Sequence, residues 1–579
     1  MLAEAIARVS GNRVTLLRIV LFLAVVIYIP TLNFFFVYDD QPQIVMNERL
    51  NDWKYLPQYF TESTWGVSDV VYQYRPLFLV WFRLMYSAVG TFVAGWHLFS
   101  IVSNLAVVWL VFKLMRRVTD DEDIAGLTAL FFVLHPVHIE TVAWISAMSE
   151  SLYAIPALLA LLVYFRYMEN RQLSNLLGAA GLFALALFTK ETALTLIGVF
   201  AGCEYLYRKG GRTEKFRKVL LGLVPFVVIS GFYLLVRAYA LRSFTHFPQP
   251  HSWSEVLLTI PAAFWFYLRL LFWPFGTHSQ FYDLSLVSAP TWLGFWAPLV
   301  ASAVALAALS YWARRSKLGG FALLWLIFPM IPPLLGIYTF RDHDLVHDRY
   351  LYLPALCVCI LLATGLKFWM VRAQASQQPV LKALPVMATL AIAGFFVTRD
   401  LREQYFYKND IHLYEQAVKT APNKAMVWNF LGYAYGQDGR SQAAIGAHRR
   451  ALELNTKNWE THAYLGNLLF VGGELEDAAA HMQKAAELRP GPDRSHILYK
   501  LGLTFARMSR FLEAEQSFRK ALELAPTRPT YHYSLGQSLR KQGRLQEAAA
   551  EFEREIALNN DEHSKQALAT MEAEKKPGR

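Results

Sequence analysis

From the N-terminus to about Val397 the chain is a series of apolar stretches separated by short polar loops. Each is long enough to cross a bilayer, which takes roughly 20 residues. That repetition, more than any single motif, limits the fold to a helical bundle in lipid. With 55% hydrophobic and 17% charged residues, the chain carries more apolar side chain than soluble cores of its size hide. From Arg399 onward the sequence turns charged and Ala-rich, and no further stretch of that kind occurs. Two solvents imply two domains: a membrane domain over 1–398 and a helical domain over 399–579. The expected class is all-α throughout.

The net charge of +11 is no sign of nucleic acid, because the basic residues gather in short loops between apolar segments. Lys and Arg mark the cytoplasmic side. They cluster at the N-terminus, at KLMRR (113–117), RYMENR (166–171), RKGGRTEKFRK (208–218) and ARRSK (313–317), and between Lys367 and Lys382. The opposite side receives 38–75, the turn after His135, the turn at Lys190, 238–253 and 340–349. Parity holds only if 254–275, which carries Arg269 among Trp and Phe, lies in the outer interface. The segment 75–90 reads the same way. About 11 spans result, with the N-terminus inside and the C-terminal domain outside. The first span, Leu16 to Val37, is too long for a removable signal and is read as an anchor. Cys203, Cys357 and Cys359 all sit in apolar segments and are read as small core residues, with neither a disulfide nor a metal site.

The C-terminal region repeats. Leu431-Gly432, Leu465-Gly466, Leu501-Gly502 and Leu535-Gly536 are spaced by 34, 36 and 34 residues, and Ala444, Ala478, Ala514 and Ala548 each follow their Gly by 12. Pro422, Pro490 and Pro526 close copies. The first copy, WNFLGYAY, has the W-x2-L-G-x2-Y pattern of the tetratricopeptide repeat, a helix-turn-helix unit that stacks into a superhelix. YEQAVKTAPN (414–423) is read as part of an earlier repeat docking the array to the membrane domain, and DEHSKQALATMEAE (561–574) as a capping helix. Such arrays bind extended peptides or act as spacers, and no groove residue decides between the two.

Ionisable groups at membrane depth are costly and usually functional. Here they gather at the outer ends of spans: Asp39 and Asp40 after the first; Arg75 before Pro76; His135, His138, Glu140 and Glu150 in HPVHIETVAWISAMSE; Lys190 and Glu191 in FTKETA; and Asp344, His347, Asp348 and Arg349 in RDHDLVHDRYLYLP. Acids and bases converging on one face describe a site that binds an anion and manages a proton. Each also has a plainer role. Asp39 and Asp40 can cap a helix or sit in solvent, His135 and His138 can hold a turn, Lys190 and Glu191 can pair, and Arg349 can snorkel to headgroups.

The order YDD, YRPL, HLFSIVSN, HPVHIETVA, KETAL and DRYLYLP, followed by the repeats, resembles the transmembrane-and-tetratricopeptide (TMTC) family of O-mannosyltransferases, and more broadly the C-type membrane glycosyltransferases that use polyprenyl-phosphate sugars. The last motif departs from the family's usual Glu-Arg: it reads Asp348-Arg349, which keeps the charge on a side chain one methylene shorter. The resemblance implies a C-type bundle and transfer of a hexose, mannose by analogy, from a polyprenyl-phosphate donor to a protein or peptide hydroxyl. The repeats would hold the acceptor. Asp39 or Asp40, undecided between them, would be the general base. Arg349, then Arg75 or Lys190, would hold the donor phosphate, with His135, His138, Glu191, His347 and Asp348 in support. Direct displacement would invert the anomeric centre.

No cofactor is firmly called for. A divalent metal held by the aspartate pair, as in some relatives, stays an alternative, although no clear further set of oxygen ligands accompanies it. A lipid or glycan acceptor, and a membrane-anchored scaffold without catalysis, are the competing readings. Transport fits poorly, since the ionisable groups lie at span ends. Compact loops suggest a bacterial inner membrane with periplasmic repeats, or a luminal array if the chain is eukaryotic.

Overall fold

The structure is a computed structural model. It describes residues 13–575 apart from 65–72, 209–211, 242–250, 277–278, 342–343, 490 and 492–493. Pro490 and most of the loop 238–253 therefore lie outside the described residues. Among the described residues the chain is helical, with no strand. Contacts divide it into two compact units, Met1–Thr420 and Ala421–Arg579. The charged sequence after Arg399 thus contributes its first helices, ending with Asp410–Thr420, to the first unit.

Among the described residues of the first unit nine helices are long and apolar enough to cross a membrane, and a bent pair, Glu122–Leu134 with Pro136–Ala143, makes a tenth candidate. The bend falls at Pro136, which cannot donate to the helix ladder. One of the nine, Trp253–Phe272, is the segment expected to lie in the outer interface. It starts with a capping box between Ser252 and Glu255, which satisfies orphan N–H groups at the helix start. Just before it, His251 donates its backbone N–H to the Tyr338 carbonyl at 3.1 Å, and its ring Nε2 lies 2.7 Å from the Phe340 carbonyl oxygen. At its other end the Leu271 carbonyl meets His135 Nε2 at 3.0 Å. Both ends lead to one segment, because Phe340 stacks on Tyr350 at 5.9 Å and His138 Nε2 lies 3.0 Å from the Tyr352 carbonyl. A helix of about 30 Å with both ends at one end of the bundle lies flat. Among the described residues nine spanning candidates, or ten with the bent pair, stand against the 11 spans expected, and Pro76–Val89 and Leu173–Thr189 are shorter apolar helices.

The second unit is a stack of helix pairs from Ala425–Gln437 to Leu545–Asn559, closed by Glu562–Lys575. Ala444, Ala478, Ala514 and Ala548 are fully buried. The four motif glycines face the second helix of their pair, where a Cβ on Gly502 would come within 2.6 Å of the Phe518 ring. One further regularity was not visible in sequence. A ring nitrogen at one position of three copies reaches the carbonyl six residues earlier: Trp428 to Pro422, His462 to Thr456 and His532 to Pro526. These contacts tie three of the four repeats to the turn before them.

Gly502→Ala is expected to destabilise this unit by ~1–3 kcal/mol through overpacking. Gly446→Ala, in a helix where nothing lies within 4 Å, should instead stabilise it by up to about 1 kcal/mol. Thermal unfolding of the full chain in detergent, followed by circular dichroism, checks both. Equal midpoints would reject the close approach.

Candidate active site

The first span breaks at Pro30 into a 3-10 turn ending at Asn33, and Phe34–Val37 continue without helix. Tyr38 then adopts a left-handed φ of 49°, which costs an L-residue about 1–2 kcal/mol. This turn separates the two aspartates. Asp40 is fully buried. Its Oδ1 accepts from Ser146 N at 2.8 Å and Ser146 Oγ at 2.5 Å, and its Oδ2 from Val37 N at 3.1 Å. Burial pushes it up to about 7 against those three donors. Asp39 is half-buried, and among the described residues no donor reaches its carboxylate. Burial, then the nearby Asp344 carboxylate, push Asp39 up to about 7, while Arg349 and Arg341 pull it down. The two residues that sequence left equivalent are physically different: Asp40 fastens the loop, and Asp39 faces charge with its oxygens available.

Opposite Asp39 stands Arg349. Its backbone N donates to Glu140 Oε2 at 2.9 Å, and its guanidinium pairs with Glu140 Oε1. Gln280, with its amide nitrogen turned toward Glu140, donates to Oε1 at 2.9 Å and accepts from Arg349 Nη1 at 3.2 Å. The guanidinium lies 5.0 Å from the Trp144 ring and 5.1 Å from the Tyr350 ring. Beside it, buried Asp348 accepts from the Tyr282 hydroxyl at 2.7 Å, so its shorter side chain is satisfied. His347 sets its Nδ1 3.1 Å from the Gln280 carbonyl and its Nε2 3.7 Å from Asp344.

Two further cations complete the cluster. Arg75 forks onto Glu191 with bonds of 2.8 and 2.6 Å; burial works against that carboxylate, but Arg75, Arg237 and Lys190 hold it far below its usual range. Lys190 pairs with buried Glu150 and sits 5.8 Å from the Tyr350 ring. Burial brings its ammonium down to about 8, against the opposing pull of Glu150. Tyr350 joins the set, since it contacts Arg349 and Lys190 and lies in the field of Arg75. Three cations, Lys190 buried and Arg75 and Arg349 partly so, each held by one carboxylate, thus meet around one ring, with Asp39 facing the group through Arg349.

His135 and His138 stand apart from these charges. They bind the Leu271 and Tyr352 carbonyls and hold the bend at Pro136. Sequence reading noted Glu140 and Glu150 without giving them a role, and it missed Trp144, Gln280, Tyr282 and Tyr350. Tyr350 lies inside the motif DRYLYLP, whereas Gln280 and Tyr282 sit in a loop with no periodicity to mark them. Among the described residues no three of His, Cys, Asp and Glu converge as metal ligands. Beyond the flat helix, Leu271, Phe275, Leu362, Ile392, Phe395 and Phe396 help line an apolar cavity of about 810 Å3.

Comparison with known proteins finds matches in both regions of the chain. Residues 74–236 match the dolichyl-phosphate-mannose-protein mannosyltransferase family. Residues 411–458, 460–527 and 499–563 match tetratricopeptide repeats. Protein O-mannosyl-transferase TMTC3 of Mus musculus is 24% identical, over 91% of this chain and 62% of its own length. Protein O-mannosyl-transferase Tmtc1 of Drosophila melanogaster is 24% identical over 93% and 82%, and human TMTC4 is 26% identical over 71% and 62%. The chain thus spans a little over three-fifths of the mouse and human relatives. Among solved structures, the MamA protein is 22% identical and covers 29% of this chain and 86% of its own, with a TM-score of 0.24.

Proposed function

We propose that this integral membrane protein, TMTC-like along nine-tenths of its length, moves a mannose from a polyprenyl-phosphate donor to a hydroxyl of a protein or peptide, with inversion. The observation that carries the reading is the Asp39 carboxylate, without a donor among the described residues and in the field of Arg349 and Arg341, where Arg349 shares the Tyr350 ring with Lys190. The acceptor oxygen attacks the anomeric carbon while Asp39 takes its proton. The bond from that carbon to the phosphate oxygen breaks, and the lipid phosphate leaves with the electron pair. A phosphate is already a stable anion, so it needs cations more than an acid. Glu140, Glu150 and Glu191 keep the three cations in place and limit the net charge buried. A guanidinium can bridge two phosphate oxygens, and Arg349 is the cation nearest the base.

The apolar cavity beside the flat helix suits an isoprenoid tail. The positive-inside pattern supports an extracytoplasmic side for Asp39 and the repeats, and the compact loops favour a bacterial inner membrane over an endoplasmic-reticulum membrane with luminal repeats. The repeat groove would present the acceptor segment.

The pH profile should be bell-shaped and narrow. A base must be deprotonated, so transfer rises with pH through about 7, where Asp39 titrates. It falls again above about 8, as Lys190 loses its proton. Asp344→Asn removes the second cause of the Asp39 shift and should move the acid limb downward. The test is transfer from radiolabelled polyprenyl-phosphate mannose to Ser/Thr peptides by the purified protein. Label found only in lipid or glycan would overturn the protein acceptor, and no transfer at all would overturn the enzyme.

A further inference from the structure

The helix Asp410–Thr420 holds both halves of the site just described. At its start, Asp410 Oδ1 accepts the backbone N–H of Tyr38 at 2.8 Å, across 372 residues of sequence. Next to it the Lys408 carbonyl accepts from Phe35 N at 2.9 Å. The Tyr38 ring meets Tyr414 of the same helix edge-on at 6.4 Å. The left-handed residue before Asp39 is therefore fastened by its own amide and by its ring. At the other end, Thr420 Oγ1 donates to the Phe281 carbonyl at 2.7 Å, and the Thr420 carbonyl accepts from Asp283 N at 3.2 Å. Those bonds flank Gln280 and Tyr282, which hold Arg349–Glu140 and Asp348.

We infer that Asp410 is a positioning residue for Asp39, and that this helix sets the separation between the base and the cations that take the phosphate. The inference rests on the proposed transfer reaction. An unstrained Tyr38 would turn Asp39 away from Arg349. Asp39 is faced by Asp344, Arg349 and Arg341, and Asp40 and Tyr38 share its field.

Asp410→Ala removes the acceptor, whereas in Asp410→Asn an amide oxygen can still take the Tyr38 proton. Alanine should lower kcat about 10- to 100-fold, the order expected for a misplaced catalytic group, with KM for the lipid donor within about twofold. It should also move the acid limb downward, as Asp39 becomes better solvated. Asparagine should restore kcat to within about twofold of wild type. Thr420→Val, which releases only the far end, should raise donor KM several-fold and leave the acid limb in place.

Hydrogen exchange over residues 34–46, measured without donor, should quicken in Asp410→Ala and not in Asp410→Asn. Wild-type kinetics in Asp410→Ala, an asparagine variant as impaired as alanine, or unchanged exchange in alanine would each overturn the inference. The exchange result stands even if the wild type transfers no mannose, a failure that would instead remove the reaction itself.

Discussion

Asp39→Asn is expected to lower mannosyl transfer by about 10²–10⁴-fold, the usual worth of a positioned general base. The variant should fold normally. Asparagine has the same shape, and no recorded donor needs the Asp39 carboxylate, so no buried N–H is orphaned. Donor binding should hold or tighten, because a negative charge near the lipid phosphate is removed. A large loss in kcat with a steady or lower donor KM is therefore the signature.

Asp40→Asn should behave differently. Ser146 donates twice to one of its oxygens and Val37 once to the other. An amide NH2 must therefore face at least one donor, at a cost of ~1–3 kcal/mol. That variant should lose thermal stability first, and activity only through the displaced loop. Steady-state transfer assays beside melting curves separate the two. A stable, inactive Asp40→Asn with an active Asp39→Asn would assign the base to Asp40.

Arg349→Gln is expected to cost both stability and transfer, for separable reasons. Glu140 is 1% exposed, and removing one partner of a buried ion pair leaves a charge that costs ~3–5 kcal/mol. The single variant therefore confounds folding with chemistry. Adding Glu140→Gln removes the orphaned charge, and Gln280 remains to hydrogen-bond both new amides. The double variant should regain most of the lost stability and still transfer about 10²–10³-fold more slowly, the penalty for removing one stabiliser of developing charge. The coupling between the two changes should thus be large in melting and small in catalysis. Recovery of transfer to within about tenfold of wild type would show that Arg349 orients Glu140 and does not bind phosphate.

The contrast between Asp39 and Asp40 marks where sequence reading stops. Adjacent carboxylates in a polar loop have the same composition, the same nearest charges along the chain and the same motif. Their roles diverge because of one backbone angle at Tyr38 and because of Ser146, a residue 106 positions away. Arg349 was legible as a cation at a span end, but its carboxylate partner comes from the bend after Pro136 and its amide bridge from an irregular loop. The flat helix was legible only through charge parity. Its geometry came from hydrogen bonds at both its ends.

What the sequence determined by itself is what a solvent enforces residue by residue. A bilayer demands about 20 apolar residues per crossing and a polar end at each face. A helical solenoid demands small residues at a fixed period, and both signals survive being read in one dimension. The tertiary structure alone decided which aspartate is open, which carboxylate holds each cation, and that Asp410 braces the turn before Asp39. Those outcomes depend on contacts between segments hundreds of residues apart and on a single strained dihedral, for which no local pattern exists.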